Sequence, residues 1–189
     1  MKLSLVAPCY NEEGNVRLFC EEAGKILAGY DYEIVFINDG SKDGTLKVLR
    51  ELYAEKKEQM TIINFSRNFG KEAGLYAGLQ HAKGDYIVII DTDLQQPIEV
   101  AKEMMDFLEE HPEYDEVAAY QEERKEGKIM TLFKSAFYSM INKLCDVELY
   151  KNASDFRCMR RCVVDAILQM TEYHLSLIHI SEPTRLRCI

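Results

Sequence analysis

Long hydrophobic runs are missing from this 189-residue chain. No apolar stretch reaches the roughly 18 residues that a bilayer-spanning helix needs. Met1 leads straight into a strand-like segment, with no secretory leader pattern. Basic blocks are missing as well: the formal net charge is −9, which argues against generic nucleic-acid binding. The cysteines, at 9, 20, 145, 158, 162 and 188, lack paired CxxC spacing. Cys158 and Cys162 have no matching His/Cys pair for zinc, so buried free thiols in a reducing cytoplasm are expected. No GxGxxG follows the first strand-like run and no GxxxxGK[ST] occurs, which disfavours a dinucleotide fold and a P-loop. Repeats, low-complexity tracts and Pro/Gly linkers are also lacking, and the length suits one domain with one sizeable core.

What is present is an alternation. Four short apolar runs, "LSLVAP" (3–8), "YEIVFIND" (32–39), "MTIINFS" (60–66) and "DYIVIID" (85–91), are strand-length and rich in Ile, Val or Phe. Between them residues recur at helical spacing: Val16, Phe19, Cys20, Ala23, Ile26 and Leu27, then Leu46, Leu49, Leu52 and Tyr53, then Ala73, Ala77, Leu79 and Gln80. Strands alternating with helices predict a parallel sheet covered on both faces, which near-continuous apolar strands also require. Asn11 before Glu12 and Glu13, and Ser41 before Asp43, are expected to start helices. Pro97 predicts a helix from Ile98 to about Glu109, and "EVAAYQ" (116–121) a fifth strand. Residues 127–145 carry a strong amphipathic stripe that suits packing, or a lipid surface.

Polar residues punctuate this pattern at one kind of place. Tyr10-Asn11-Glu12, Asn38-Asp39-Gly40-Ser41 and Asp91-Thr92-Asp93 all follow strand ends, the edge where open α/β sheets bind ligands. Two like charges as close as Asp91 and Asp93 need a divalent cation, a shared proton, or water at a turn. The pair suits a hard cation whose other ligands are phosphates and water, and equally a solvated turn that caps the next helix. In "NDGSKDGT" (38–45) the turn chemistry is plain; Asp39 could also accept hydrogen bonds from a nucleobase. A last segment, "LSLIHISEPTR" (175–185), reads as the translation of a sequencing-library adapter, so 175–189 is expected to be a non-native tail on a C-terminally truncated domain, 1–174.

"PCYNEE" (8–13), "INDGSKDGT" (37–45), "SRNFGKEAGLYAGLQHAKGDYIVIIDTDLQQPIE" (66–99), "EGKIMTLFKSAFYSMIN" (126–142) and "DFRCMRR" (155–161) occur in the order and spacing of family 2 glycosyltransferases. The chain resembles their polyprenyl-phosphate branch, which includes dolichol-phosphate mannose synthases and undecaprenyl-phosphate glycosyltransferases. The resemblance implies the GT-A nucleotide-sugar-binding fold, an α/β domain with a mostly parallel sheet flanked by helices. It implies single-step inverting transfer of a sugar from a nucleoside-diphosphate sugar to a polyprenyl phosphate, in cell-envelope glycan synthesis at the cytoplasmic face of a membrane.

The same resemblance implies roles. Pro8, Tyr10, Glu12 and Asp39 would hold the nucleotide, and Asp91 and Asp93 a Mg²⁺ or Mn²⁺ ion with the diphosphate, with Gln95 beside the donor. Arg124, Lys134 and Ser135 would receive the acceptor phosphate. Asp155 and Arg157 would lie near the donor sugar and acceptor, Arg157 gripping phosphate with its fork of donors. The implied partners are the nucleotide sugar and the polyprenyl-phosphate lipid, with membrane contact in a longer protein and no nucleic acid. This sequence departs from the family in Cys158, where Leu is frequent, and near Tyr150, where proline is. Alternatives are a hydroxyl acceptor, with Asp155 as base, a non-catalytic nucleotide-sugar-binding domain, and a phosphohydrolase of the haloacid-dehalogenase type.

Overall fold

The computed structural model describes residues 2–120 and 153–170. Its elements run β1 (Lys2–Cys9), α1 (Val16–Ile26), β2 (Asp31–Asn38), α2 (Thr45–Glu55), a 3₁₀ turn (Lys57–Gln59) and β3 (Met60–Asn64). They continue with α3 (Lys71–His81), β4 (Tyr86–Ile89), α4 (Ile98–Glu110), β5 (Glu116–Tyr120), β6 (Ala153–Arg160) and α5 (Arg161–Leu168). One six-stranded sheet has the order β3-β2-β1-β4-β6-β5. The strands β3, β2, β1 and β4 are mutually parallel, whereas β6 runs antiparallel to both its neighbours. The mostly parallel α/β expectation therefore holds.

Burial on both faces explains the near-continuous apolar strands. On one face Leu3, Leu5, Ile34, Phe36, Val88 and Phe156 pack with α1, α2 and α4, and the Phe19 and Phe36 rings meet edge-on at 5.9 Å. On the other, Val6, Val35, Ile37, Ile87, Ile89 and Met159 meet Leu75 and Leu79 of α3 and Val164 and Ile167 of α5. The face that α3 presents differs from the stripe its spacing predicts. Gly74, Leu75, Gly78 and Leu79 are buried, and Ala73 and Ala77 are only partly so. Gly78 lies so close to the sheet that a Cβ there would stand 2.5 Å from Val6 Cγ1. The helix packs through its glycines, which a search for apolar residues overlooks.

Helix entry also differs from expectation. Neither Asn11 nor Ser41 starts a helix: α1 begins at Val16 and α2 at Thr45. Asn11 takes a left-handed φ of 57° and bonds across to the next loop, its N–H donating to Ser41 Oγ at 2.9 Å and its Oδ1 accepting from Lys42 N–H at 2.8 Å. Glu13 Oε2 accepts the N–H of Gly44, just before α2, at 3.0 Å. Glu13 of the first loop thus serves the entry of the second helix rather than its own. Such a cap is tertiary, and no local motif announces it.

The strand β6 was not anticipated, because Asp155 and Arg157 break its apolar pattern. Its register with β4 pairs Ile89 with Arg157, and it inserts between β4 and β5. The expected amphipathic helix over 127–145, the acceptor candidates Arg124, Lys134 and Ser135, and the tail at 175–189 lie outside the described residues. No helix among the described residues is long and apolar enough to cross a membrane.

Candidate functional site

Because β2, β1 and β4 are adjacent and parallel, the polar clusters after Asn38, Cys9 and Ile89 emerge side by side at one sheet edge. The first two are woven together. Glu12 N–H donates to Thr45 Oγ1 at 2.8 Å, and Glu12 Oε2 accepts from Asn15 Nδ2 at 2.6 Å. Asn38 Nδ2 donates to Asn64 Oδ1 at 2.7 Å, which ties the ends of β2 and β3 together. Tyr10 stands 42% exposed beside this lattice, and Pro8 is half-buried. Below the rim, burial, followed by the charges of Glu12, Asp43 and Asp39, pushes the Cys9 thiol up to about 12. That thiol is inert near neutral pH.

Asp39 is buried, and its carboxylate accepts the N–H groups of Phe69 at 2.7 Å and Gly70 at 3.0 Å. It therefore fixes the loop from β3 to α3. Gly40 works with it. At φ 66°, a conformation that L side chains rarely adopt, its Cα lies against that loop, and a Cβ there would meet the Arg67 carbonyl carbon at 2.4 Å. Both Asp39 carboxylate oxygens are thus engaged by the protein's own backbone.

After β4 the chain turns sharply. Leu94 has a φ of 60°, Asp93 Oδ1 accepts the N–H of Gln95 at 3.0 Å, and Gln96 Oε1 accepts the N–H of Asp91 at 2.9 Å. This turn leaves the Asp93 side chain exposed at the rim and buries Thr92 behind it. Gln96 is a positioning residue that the sequence did not single out.

The largest surprise is Lys71, the first residue of α3. Its ammonium lies 3.0 Å from Asp91 Oδ1 and 3.1 Å from Asp155 Oδ2. It joins two expected site residues that are far apart in sequence. Partial burial works against its charge, but the bonds and charges of Asp91 and Asp155 outweigh that and raise its pKa above the usual lysine value. Lys71 lies within the quoted 66–99 block, yet without Asp155 beside it nothing local marks it as functional.

Arg157 has a partner within the sheet. The expected phosphate-gripping fork is buried, only 2% exposed, and Arg157 Nη1 donates to Glu116 Oε1 at 2.8 Å. A guanidinium already committed to a buried carboxylate on the neighbouring strand is a strut between β5 and β6. Burial pushes the Glu116 carboxyl up, and the Arg157 charge only partly counters it.

The donor set is compatible with a hard divalent cation. Asp91, Asp93 and Asp155 offer only carboxylate oxygens, and the space between Asp91 and Asp155 already holds a positive charge. Among the described residues no group of three or more His, Cys, Asp or Glu could hold a metal by itself. A cation at this rim would draw its remaining ligands from water or phosphate.

The model described as glycosyl transferase family 2 matches residues 4–168. The chain belongs to glycosyltransferase family 2. Relatives of this glycosyltransferase chain include the putative glycosyltransferase CsbB of Bacillus subtilis, 40% identical over 90% of this chain and 51% of the relative. The prophage bactoprenol glucosyl transferase homolog of Escherichia coli is 40% identical over 93% of this chain and 57% of the relative. The chain thus spans just over half the length of these curated relatives. Among solved structures, the mannosyltransferase PcManGT from Pyrobaculum calidifontis, in complex with GDP-Man and Mn²⁺, superposes with a TM-score of 0.62 at 19% identity, covering 87% of this chain and 46% of that one. Glucosyl-3-phosphoglycerate synthase from Mycobacterium tuberculosis, with Mn²⁺, UDP and phosphoglyceric acid, gives 0.59 at 18%, covering 86% and 56%. At such identity the likeness shows the fold, which is GT-A. In that fold the family 2 chain presents Asp39, Asp91, Asp93 and Asp155 along one edge of the sheet.

Proposed function

We propose that this chain is the catalytic domain of a metal-dependent inverting glycosyltransferase that moves a sugar from a nucleoside-diphosphate sugar to a polyprenyl phosphate, in cell-envelope glycan synthesis at the cytoplasmic face of a membrane. The observation that carries this reading is the carboxylate rim. Asp91 and Asp93 end the central strand β4, Asp155 faces Asp91 through Lys71, and Asp39 fixes the adjoining loop. The names of the relatives, bactoprenol glucosyl transferases among them, support the acceptor class.

Pro8, Tyr10, Glu12 and Asp39 form the nucleotide side of the cleft, and Gln95 lies at the donor side of the turn after Asp93. Asp91 and Asp93 would hold a Mg²⁺ or Mn²⁺ ion, which supplies neutralisation of the charge that gathers on a leaving diphosphate. A polyprenyl-phosphate oxygen is already anionic near neutral pH, so the protein needs to orient it rather than deprotonate it. Arg124, Lys134 and Ser135 are the residues proposed for that task, with Arg157 deeper in the sheet and paired to Glu116. Asp155, beside Asp91, lies where the donor sugar and acceptor would meet.

The test is direct. The purified protein is incubated with UDP-glucose or GDP-mannose, Mn²⁺ and undecaprenyl phosphate, and the lipid fraction is analysed by mass spectrometry. A glycosyl-phosphate lipid that disappears with EDTA is the expected product. Transfer only to hydroxyl acceptors, or hydrolysis alone, would overturn the acceptor assignment.

A further inference from the structure

Lys71 occupies an unusual place for a cation. It opens α3, where the helix dipole presents its positive end and disfavours positive charge. Its neighbour Gly70 enters the helix at φ 94°. The compensation comes from two carboxylates, Asp91 in the turn after β4 and Asp155 on β6. The β4–β6 ladder ends at the Ile89–Arg157 pair, just short of both. Like charges brought this close repel, and the Lys71 ammonium sits between them, donating to Asp91 Oδ2 at 3.2 Å and lying 3.1 Å from Asp155 Oδ2.

We infer that Lys71 is a built-in counter-cation of the donor-free site. It holds Asp91 and Asp155 together until a divalent cation displaces it from Asp91, and it then turns to the phosphates that arrive with that cation. The inference rests on the reading that Asp91 and Asp93 take a divalent cation. Its physical basis is competition. Lys71 reaches both oxygens of Asp91, at 3.0 and 3.2 Å, so a divalent ion on that carboxylate would share it with an ammonium a few ångströms away, and the two positive charges repel. The ion alone therefore binds against Lys71. A diphosphate relieves the conflict, because it brings negative charge for which Lys71 can leave Asp91. The side chain is long, flexible and 42% exposed, so it has room to move. Metal and diphosphate are thus coupled through one residue, and each raises the affinity for the other.

The experiment measures Mn²⁺ affinity of the full chain by electron paramagnetic resonance, with and without inorganic pyrophosphate, in wild type and Lys71→Met. Removing Lys71 is expected to tighten binding of Mn²⁺ alone by about fivefold or more, and to shrink the enhancement by pyrophosphate by a similar factor. If Lys71 were only a strut, its loss would disorder the carboxylates and weaken Mn²⁺ binding. Unchanged or weaker binding of Mn²⁺ alone to Lys71→Met overturns the inference while leaving the cation site intact. Mn²⁺ binding that survives Asp91→Ala with Asp93→Ala overturns both the inference and the site. Should Lys71→Met not fold, wild-type protein carrying ¹³C-lysine is titrated with Mg²⁺. A Lys71 ε-carbon signal that moves with the binding midpoint supports displacement, and one that stays put overturns it.

Discussion

Arg157 Nη1 and Glu116 Oε1 meet at 2.8 Å with both side chains almost wholly buried, so an ion pair pins the antiparallel strand β6 to the sheet edge. Removing Glu116 takes from a buried guanidinium the carboxylate that its Nη1 meets. Glu116→Ala is expected to lower unfolding stability by about 3–5 kcal/mol in urea denaturation. Replacing both residues by leucine is expected to recover most of that loss, because the desolvation penalty disappears with the charges. A single and a double variant of equal stability would show that the pair contributes little.

Asp93 is exposed at the rim, and its Oδ1 accepts the N–H of Gln95. Asp93→Asn keeps that acceptor and removes the charge. Sugar transfer is expected to fall by at least about a hundredfold, the scale seen when one group that stabilises transition-state charge is lost. Thermal stability should change little. Near-normal turnover would remove Asp93 from the cation site.

Gly40 allows the β2 end and the loop before α3 to touch. Gly40→Ala adds a Cβ 2.4 Å from the Arg67 backbone and forces a left-handed φ on an L side chain. The loop held by Asp39 must shift. Stability is expected to drop by about 1–3 kcal/mol, and nucleotide binding, followed by calorimetry with UDP and GDP, should weaken along with it.

Far from the site, Glu33 gathers bonds at the opposite end of the sheet, accepting from Ser4 Oγ at 2.7 Å, Lys83 N–H at 2.6 Å and Lys2 Nζ at 3.2 Å. Burial opposes its charge, but these donors outweigh burial and hold its carboxyl below the usual value of 4.5. A depressed carboxylate stabilises the fold above its unfolded pKa and loses that contribution as pH falls through the folded one. Wild type is therefore expected to exceed Glu33→Gln in stability near neutral pH. The gap should close as acid takes the solution below 4.5. Denaturant titrations of both proteins at a series of pH values check it; a gap that widens in acid would reverse the assignment.

The parallel core and the identity of the rim were legible in the sequence for a physical reason. Buried strands must be apolar on both faces, as Leu5 to Ala7 and Ile87 to Ile90 are, and the residues that follow them must turn and meet water. The helix α3 was read with the wrong face because Gly74 and Gly78 pack by what they lack. Caps were misplaced because Glu13 serves a helix in the next loop. The strand β6 was missed because Asp155 and Arg157 look unsuited to a sheet interior until Lys71 and Glu116 are brought beside them.

By itself, then, the order of residues determined the layered α/β architecture, the sheet edge that carries the polar residues, and the carboxylates Asp39, Asp91 and Asp93 that follow its strands. Hydrophobic periodicity and turn chemistry are local, and they survive in a one-dimensional string. Only the tertiary structure decided which charges meet: Lys71 between Asp91 and Asp155, and Arg157 with Glu116. Ion pairing depends on distances of a few ångströms between residues remote in the chain, and strand register sets those distances.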